Sequence, residues 1–404
     1  MGRSEGVLDA SLRAEPPVPA GTSYLEGAGR LGHFFSALGA LADGKLRDDV
    51  RLVQFGDSHT ASDTATCVVR RMLQERFGDG GRGFVEVGKP WKTYIQDGVH
   101  GGMTREFEPN RGRVEDGHLV GDGAYGLVGV AIEADRPGAR AWTRISAPAS
   151  RVEVDYLLKP DGGSVDVVID GVQAGRIATR APKPSSGFTG FDVADAPHEV
   201  ELRAVGDGGV RLFGLALDRT RPGVVLDAAG INGAQVTTPL RWNEEHFAEQ
   251  LRHRAPDLVI LAYGTNEAID PKLDLAEYQR SITELLGRVA RAVPSASCLL
   301  LGPPDLVRTV PPDRRVWLPS QPLGEVIAVQ RRVASASGCA FYDQQAAMGG
   351  AGSMAVWAAE DPPRAQTDRV HLTQSGYAQV GTAFATDLLR AYDAWRSTRH
   401  EASR

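Results

Sequence analysis

The 404-residue sequence contains few cysteines, no excess of basic residues and no long apolar run. Its formal net charge of −6 and pI near 5.9 indicate no basic surface for nucleic acid and no attraction to an anionic membrane, so we expect neither partner. No apolar run approaches the roughly 18 residues of a membrane span. Residues 1–22 also lack the apolar core of a signal peptide, so we expect either a cytoplasmic protein or one whose signal has been removed.

The three cysteines, Cys67, Cys298 and Cys339, are too few for a disulfide framework and do not have the spacing of metal ligands. The simplest interpretation is three buried thiols. Cys298 and Cys339 each open a predicted strand, in what should be neighbouring positions, so one disulfide between them is the alternative. The nine histidines include no H-E-x-x-H or similar pair, and we predict neither a catalytic metal nor another cofactor.

The most informative feature is an apolar run that ends abruptly in Gly-Asp-Ser. Residues 51–56 are typical of a buried strand, Gly56 lets the backbone bend, and a helical pattern follows over residues 62–77. Ser58 therefore falls at the carboxyl end of a strand, beside the unpaired N–H groups of a helix start, which can stabilise an oxyanion. A serine that merely caps the helix is the alternative interpretation.

Two later stretches supply the remaining groups for acyl transfer. Residues 257–263 form a second buried-strand pattern that ends in the polar sequence GTNE, which contains Asn266. Near the C-terminus, Asp368 precedes His371 by three positions. With Ser58, these residues provide a nucleophile, an oxyanion donor, an orienting carboxylate and a general base. Asn266 as a helix cap and Asp368 as a turn cap remain the alternatives.

The chain outside its middle third has the alternation of an α/β protein. A first helix is predicted over residues 23–41, and a last one over roughly 375–395. Strand patterns alternate with helical patterns, so right-handed crossovers should produce a five-stranded parallel sheet covered on both faces. Ligands of such sheets bind at the carboxyl ends of the strands. The predicted strands are residues 51–56, 223–228, 257–263, 297–302 and 339–343.

An all-β domain is predicted to interrupt this pattern between residues 96 and 221. Helical spacing disappears there, and Asp-Gly turn sequences separate short alternating runs: Val152-Val154-Tyr156, Val165-Val167-Ile169, Val200-Leu202-Ala204 and Val210-Leu212. We predict an inserted β-sandwich that divides an α/β domain into residues 23–95 and 222–397. Residues 1–22 are expected to form an extended or disordered leader, and residues 398–404 a tail.

Loops at the expected site contain several aromatic residues. A glycine-rich run at residues 78–81 is predicted to be a mobile loop near the site, with Trp91 and Tyr94 just beyond it. These two rings either face a sugar or pack in the ordinary way. Trp317, in a long loop predicted over residues 303–322, is a candidate pocket residue.

The polar blocks together resemble the SGNH branch of the GDSL hydrolases. The first block matches as Gly-Asp-Ser, although His59 stands where the family has leucine. The third matches as GTNE and the fifth as D-x-x-H. The glycine of the second block is best matched by Gly233, with Gly230 as the competitor. The resemblance implies a flavodoxin-like three-layer α/β/α sandwich and serine esterase chemistry.

The resemblance also implies a role for each matched residue. Ser58 would be the nucleophile, His371 the general base and Asp368 its orienting partner. The amides of Ser58 and Gly233 and the side chain of Asn266 would form the oxyanion hole. An acyl-serine, expected to be acetyl, would then be released to water.

The sequence around the blocks looks most like bacterial peptidoglycan O-acetylesterases. This finer match rests on the GGRGF sequence at residues 80–84, the MGG sequence at residues 348–350, and Ser353 and Met354 with Trp357. It implies an O-acetylated glycan substrate, a jelly-roll-like β domain similar to a carbohydrate-binding module, and an extracytoplasmic location. An O-acetyltransferase acting on a glycan and a non-catalytic glycan-binding protein remain alternatives.

Overall fold

Alternating buried strands and helices occupy both ends of the chain, and antiparallel strands occupy its middle. The computed structural model describes residues 7–8, 23–112, 122–309 and 316–402. The strands are β1 Val7–Leu8, β2 Leu25–Glu26, β3 Val50–Gly56, β4 Gly81–Val85, β5 Val99–Met103, β6 Glu108–Arg111, β7 Val130–Ala134, β8 Arg140–Leu158, β9 Ser164–Ile169, β10 Val172–Ala178, β11 Ser185–Ala204, β12 Val210–Asp218, β13 Val224–Gly230, β14 Leu258–Ala262, β15 Ser297–Leu301, β16 Val307–Thr309, β17 Val316–Pro319 and β18 Ala340–Tyr342. The α-helices are α1 Gly32–Ala42, α2 Ser58–Ala61, α3 Thr64–Phe77, α4 Glu244–Arg254, α5 Thr265–Ile269, α6 Leu275–Ala292, α7 Gln321–Ala336, α8 Gln344–Ala347, α9 Ser353–Ala358 and α10 Gln374–Ala402.

The central sheet has the strand order β13-β3-β14-β15-β18-β2. Its first five strands are parallel, and in chain order they run 2-1-3-4-5, which is the flavodoxin-like arrangement. The predicted five-stranded parallel sheet is therefore confirmed. A sixth, antiparallel edge strand, β2, was not predicted. It occupies residues assigned to the first helix, so the helix prediction for residues 23–27 is wrong; a 3-10 helical turn, Ala28–Leu31, leads into α1 at Gly32.

Helices cover both faces of this sheet because successive strand residues alternate between two apolar cores. Val53 and Phe55 of β3 lie in one core with side chains from α4, α6 and α7. Val50 and Leu52 lie in the other with side chains from α1, α3 and α10. A strand buried on both faces needs a nearly continuous apolar sequence, which is what residues 50–56 provide.

The antiparallel sheet has the order β10-β9-β11-β8-β12-β7-β6, with β4 also paired to β12 and β5 to β8. Its two long strands, β8 and β11, pair along most of their length, with register shifts between Asp192 and His198. The alternating runs found in the sequence all lie in one buried cluster, so their assignment to a β core is confirmed. Both halves of β8 contribute to that cluster, as expected for a sheet that bends over its own core.

The glycine-rich run after α3 leads directly into a strand: Asp79 forms a parallel bridge with Val224, and Gly81 is the first residue of β4, so the prediction of a loop is wrong at these positions. The antiparallel sheet accordingly begins at β4, ahead of the boundary predicted near residue 96. Gly81 has φ +125°, and a Cβ on Gly83 would lie 2.5 Å from Asp227 Oδ1. The same oxygen accepts a 2.7 Å hydrogen bond from the Phe84 amide. Glycine is required because β4 crosses so close to β13.

Arg254 connects the two sheets at this crossing. Its buried guanidinium forms ion pairs with Asp227 of β13, at 2.7 Å, and with Asp218 of β12, at 2.6 Å. A buried charge is stable only when it is paired and hydrogen-bonded, and two carboxylates satisfy this arginine. The contact fixes the antiparallel sheet against the parallel sheet.

The ends of the chain differ from the predicted leader and tail. Val7 and Leu8 form a short strand parallel to Val316 and Trp317, while the other residues of the predicted leader lie outside the described part of the chain. Helix α10 continues to Ala402, so most of the predicted tail is helical. Within the described residues, no helix combines the length and the apolar character needed to cross a bilayer.

Cys298 and Cys339 form a disulfide, with their Cα atoms 4.8 Å apart. It links the start of β15 to the residue before β18, two neighbouring parallel strands. The interpretation as three free thiols is therefore wrong, and the alternative of one disulfide is correct. Cys67, on α3, is a buried free thiol.

Candidate active site

Ser58 is the first residue of α2, a single helical turn directly after β3. Asp57 caps this turn by accepting a 2.9 Å hydrogen bond from the His59 amide. A Cβ on Gly56 would lie 2.2 Å from Thr60 Oγ1, so only glycine allows the turn to fold back so tightly. The predicted helix over residues 62–77 corresponds to α3, which begins at Thr64, and a separate short helix that was not predicted, α2, presents Ser58 at its amino end.

His371 lies against this serine, although 313 residues separate them in the sequence. Its Nε2 atom is 2.9 Å from Ser58 Oγ, and its Nδ1 atom is 2.7 Å from Asp368 Oδ2. The structure therefore brings together the three residues predicted from the sequence as nucleophile, base and orienting carboxylate. Nucleophile, base and orienter in hydrogen-bond contact are the geometry required for acyl transfer.

The two oxygens of Asp368 have separate partners. Oδ2 meets the His371 ring, whereas Oδ1 accepts the amides of Val370 and His371, each at 3.0 Å. Partial burial disfavours the charged carboxylate, but the hydrogen bonds from the His371 ring and these amides prevail and hold the pKa of Asp368 below its usual range. Asp368 is thus both a turn cap and the partner of the imidazole, so the two interpretations of its sequence pattern are compatible.

Asn266, the second residue of α5, lies beside the turn that follows β13. Its Nδ2 atom donates a 2.9 Å hydrogen bond to the Ala234 carbonyl. Gly233, with φ +78°, occupies the bend of that turn, which the Ala234 amide closes by donating to the Ile231 carbonyl. Gly230 has a packing role instead, because a Cβ there would lie 2.1 Å from the Ala61 amide of α2. Gly233 therefore lies in the turn that Asn266 contacts, whereas Gly230 lies within β13 and packs against α2.

Ser58, Asn266 and the Gly233 turn lie at the carboxyl ends of neighbouring strands, and His371, from the segment between α9 and α10, reaches Ser58 there. Ser58 follows β3, and Asn266 follows β14, which lies beside β3 in the sheet. From β3 the chain continues to β13 on one side of this pair, and from β14 it continues to β15 on the other side. Ligands of doubly wound sheets bind at such a topological switch point. The Gly233 turn follows β13 on the other flank.

The comparisons with known proteins agree with this geometry. Residues 194–379 match the GDSL-like Lipase/Acylhydrolase family. A peptidoglycan O-acetylesterase structure is similar over 92% of this chain and 99% of its own, with a TM-score of 0.74 and 25% sequence identity. The chain contains a GDSL-like acylhydrolase domain. It is a carboxylic ester hydrolase, as the family resemblance implied.

Two other solved structures are similar in part. A family two carbohydrate esterase from Cellvibrio japonicus covers 73% of this chain and 98% of its own, at 15% identity and a TM-score of 0.28. A salicylyl-acyltransferase from a tetracycline biosynthetic pathway covers 73% and 95%, at 12% identity and a TM-score of 0.33. No curated protein sequence matches the chain.

The match to the acylhydrolase family includes Gly233, Asn266, Asp368 and His371 but begins after Ser58. The antiparallel strands between β4 and β12 separate the serine from the other groups in sequence. The fold nevertheless places the end of β3, which Ser58 follows, beside the ends of β13 and β14, because β3 pairs directly with both strands.

Glu267 supports the acylhydrolase site but was not singled out from the sequence. Its buried carboxyl accepts the Val236 amide at 2.6 Å and the Gly264 amide at 3.0 Å, so it joins the Gly233 turn to the start of α5. Burial, opposed by these amides, raises the pKa of Glu267 to about 7. In the sequence, only its position directly after Asn266 pointed to a role for Glu267.

His59 and Tyr377 form a second pair beneath the acylhydrolase site. His59 Nδ1 lies 2.9 Å from the Tyr377 hydroxyl, and the His59 ring centroid is 5.4 Å from that of His371. Burial and the neighbouring His371 lower the pKa of His59 to about 3, so it is neutral at physiological pH. The residue that replaces the family leucine therefore packs against His371 and adds no charge.

The aromatic residues proposed from the sequence have different environments. Tyr94 is buried and its hydroxyl donates a 2.8 Å hydrogen bond to Glu86, so ordinary packing is the correct interpretation. Trp91 packs edge-on against Tyr94 and against the apolar core shared with β3. Trp317 is partly exposed and lies under the guanidinium of Arg369, 4.1 Å from ring centroid to Cζ.

The described residues contain no group of three or more His, Cys, Asp or Glu side chains placed to bind a metal ion. The side chains that meet at Ser58 are an imidazole and, through it, a carboxylate. The arrangement can deprotonate a hydroxyl nucleophile, hold the resulting imidazolium and stabilise an oxyanion.

Proposed function

We propose that the protein is a serine acetylesterase that removes O-acetyl groups from a polysaccharide, with peptidoglycan as the first candidate. The observation that carries this proposal is the hydrogen-bonded chain from Ser58 Oγ through the His371 ring to Asp368. The similarity to a peptidoglycan O-acetylesterase along nearly the whole chain supports the choice of substrate class.

In the proposed first half-reaction, His371 Nε2 takes the Ser58 proton as Oγ attacks the acetyl carbonyl carbon. Asp368 stabilises the imidazolium that forms. The tetrahedral intermediate then expels the sugar oxygen, which takes the proton from His371 and leaves as a hydroxyl. Water attacks the acetyl-serine with His371 as base, so that acetate leaves and Ser58 regains its proton.

The proposed oxyanion hole consists of the Ser58 and Gly233 amides and the Asn266 side chain. A side-chain amide carries two hydrogens, and the Ala234 carbonyl accepts one from Asn266. That bond fixes the amide plane and leaves the second hydrogen for the oxyanion. Donors held in place before reaction are effective because they need no reorganisation as charge develops.

A polymeric substrate fits the openness of the site. The His371 and Asp368 side chains are 36% and 46% exposed, so the pair lies at the surface and not in a closed pocket. We propose that the antiparallel sheet contributes to glycan binding. On its surface Trp142 is 40% exposed and lies across Gly102, where a Cβ would approach the ring to 2.3 Å. This packing leaves the opposite face of the indole available to solvent.

An extracytoplasmic location is part of the proposal. The Cys298–Cys339 disulfide supports it, because disulfides persist in oxidising compartments and are rare in the cytosol. An O-acetylated cell-wall or secreted polysaccharide would be encountered in the same compartments.

Acetate release from O-acetylated peptidoglycan, acetylated xylan and 4-nitrophenyl acetate tests the proposal. We expect the highest kcat/KM on peptidoglycan, and loss of all three activities in Ser58→Ala. Ser36→Ala, which removes a hydroxyl bonded to the Gly32 carbonyl on α1, is the matched control and should retain activity. A preference for xylan would contradict the proposed peptidoglycan substrate, whereas wild-type rates in Ser58→Ala would contradict the proposed serine esterase mechanism. Acetyl transfer to an added glycan acceptor in place of acetate release would indicate a transferase.

A further inference from the structure

We propose that Arg369, held on the face of Trp317, is a binding site for a carboxylate of the substrate, and that the enzyme therefore selects acidic O-acetylated glycans. This inference rests on the proposed esterase function and adds a specificity-determining residue to it. It arises from the conformation and packing of one arginine beside the site, and from the absence of an ion-pair partner for that arginine among the residues that the structure describes.

The backbone at Arg369 is unfavourable for an arginine. Its φ is +57°, a conformation that residues other than Gly, Asn and Asp rarely adopt. The surrounding turn enforces it, because the Arg369 amide donates to the Gln366 carbonyl while Asp368 holds the next two amides. Glycine would fit this backbone better, so the use of an arginine here points to a role for its side chain.

The side chain is fixed but not neutralised. Its Cζ lies 4.1 Å from the centroid of the Trp317 ring, and Nη1 donates a 2.8 Å hydrogen bond to the Thr367 carbonyl. Among the described residues, no carboxylate forms an ion pair with Arg369. Stacking on an indole fixes the plane of a guanidinium and leaves donors at its edge for an incoming anion.

Arg364 shows the contrasting arrangement a few residues earlier. Its Cζ also lies 4.1 Å from a tryptophan centroid, that of Trp357. Glu360 pairs with its guanidinium, and Gln379 accepts a 2.6 Å hydrogen bond from Nη1. Arg364 is thus a satisfied structural arginine, whereas Arg369 has the same stacking but no carboxylate partner in the described part of the chain.

The position of Arg369 determines which substrates it can select. It is two residues before His371, so their Cα atoms are at most about 7 Å apart. An anion bound by Arg369 would therefore belong to the acetylated sugar or its immediate neighbour. The adjacent Asp368 carboxylate repels a doubly charged group more than a singly charged one, which favours a carboxylate over a phosphate. A carboxylate also matches the planar donor edge of a guanidinium.

Two chemical sources of the carboxylate exist in peptidoglycan. One is the stem peptide, and the other is the lactyl group that remains on the sugar after the peptide is removed. The test therefore uses O-acetylated peptidoglycan with intact stems, the same polymer after amidase treatment, and neutral acetylated xylan. The lactyl carboxyl is an amide while the stem is attached, so selectivity that appears only after amidase treatment would assign the lactyl group. Selectivity that is present with intact stems and lost after the treatment would assign the peptide.

The readout is the ratio of kcat/KM on acidic polymer to kcat/KM on xylan. In Arg369→Gln we expect this ratio to fall by about tenfold, the effect of losing one charge-assisted hydrogen-bonded contact. Arg369→Lys should retain part of the ratio because it keeps the charge, and Arg364→Gln should leave the ratio at the wild-type value. An unchanged ratio in Arg369→Gln would overturn the proposal, whether or not both rates fall together.

A substrate-side measurement avoids dependence on any variant. Converting the carboxyls of the acidic polymer to methylamides should raise the wild-type KM by about tenfold, and added salt should raise KM only for the unmodified polymer. Equal KM values for the two polymers would overturn the carboxylate site. The esterase proposal is tested separately, because 4-nitrophenyl acetate has no carboxylate and reports Ser58 alone.

Discussion

The side-chain amide of Asn266 donates a 2.9 Å hydrogen bond to the carbonyl oxygen of Ala234. This bond joins the start of α5 to the Gly233 turn, two segments that flank the end of β3. In the proposed oxyanion hole the second amide hydrogen stabilises charge that develops only during reaction, so Asn266→Ala should lower kcat by about 10²–10³ with little change in KM. Steady-state kinetics on 4-nitrophenyl acetate measure this.

Asn243 provides a matched control for the capping interpretation of Asn266. Its side chain caps α4 by accepting the His246 amide at 3.0 Å, away from Ser58. Asn243→Ala should lower the free energy of unfolding by about 1 kcal/mol without a selective effect on kcat. If Asn266→Ala behaves in the same way, with near-normal kcat, Asn266 is a structural cap and not an oxyanion donor.

Asp368→Asn separates the two roles of that carboxylate. The substitution can keep the Oδ1 acceptor for the Val370 and His371 amides while it replaces Oδ2, which faces the imidazole, by an amide. The turn should therefore survive, but the amide favours the wrong tautomer of His371, and kcat should fall by up to about 10⁴. A loss of less than tenfold, with an unchanged melting temperature, would indicate that Asp368 only caps the turn.

The sequence predicted the residues that meet at Ser58 because each belongs to a local pattern with a physical reason. Ser58 and Asn266 follow continuous apolar runs, and such strands must end at the same edge of a parallel sheet. Asp368 and His371 are close in sequence. These patterns are readable without knowledge of the tertiary structure.

Features that depend on tertiary contacts could not be predicted in the same way. A two-residue strand such as β2 has no periodicity, and its pairing with β18 depends on an edge formed by distant residues. The glycines of β4 have the composition of a loop, but their backbone is fixed by the close approach to Asp227. The burial of Tyr94 depends on Glu86, which is itself buried by the sheet around it.

Glu86 should make stability fall as pH rises. Burial, opposed by the Tyr94 hydroxyl, raises the pKa of Glu86 to about 7, whereas an unfolded glutamate titrates near 4.3. The folded state therefore holds this proton more tightly, and the contribution is complete below about pH 4 and lost as pH approaches about 7. In Glu86→Gln the decrease in unfolding free energy between pH 5 and 8 should be smaller, by up to about 3 kcal/mol.

Chemical denaturation at the two pH values measures this difference. The Tyr94 hydroxyl can donate to the glutamine oxygen, so the variant preserves the buried hydrogen bond. Glu75→Gln, at an exposed position on α3, is the control and should keep the wild-type pH dependence. An identical pH dependence in Glu86→Gln and wild type would show that Glu86 is already ionised in the folded protein across this range.

The Cys298–Cys339 disulfide should contribute measurable stability. It closes a loop with a sequence separation of 41, for which the chain-entropy model predicts about 4 kcal/mol. Adding a reductant should therefore lower the unfolding free energy of the wild type and of Cys67→Ala to a similar extent. The double variant Cys298→Ala/Cys339→Ala should be insensitive to reductant. An effect of reductant on the double variant, or none on the wild type, would be inconsistent with this disulfide.

The most direct test of the account is the identity of the nucleophile. The purified protein is treated with a serine-directed organophosphate, and every serine peptide is examined by mass spectrometry. We predict one adduct, on Ser58, with loss of 4-nitrophenyl acetate turnover in proportion to labelling and no adduct in Ser58→Ala. An adduct on a different serine that accounts for the lost activity, or inactivation with Ser58 unmodified, would contradict the assignment of Ser58 as the nucleophile.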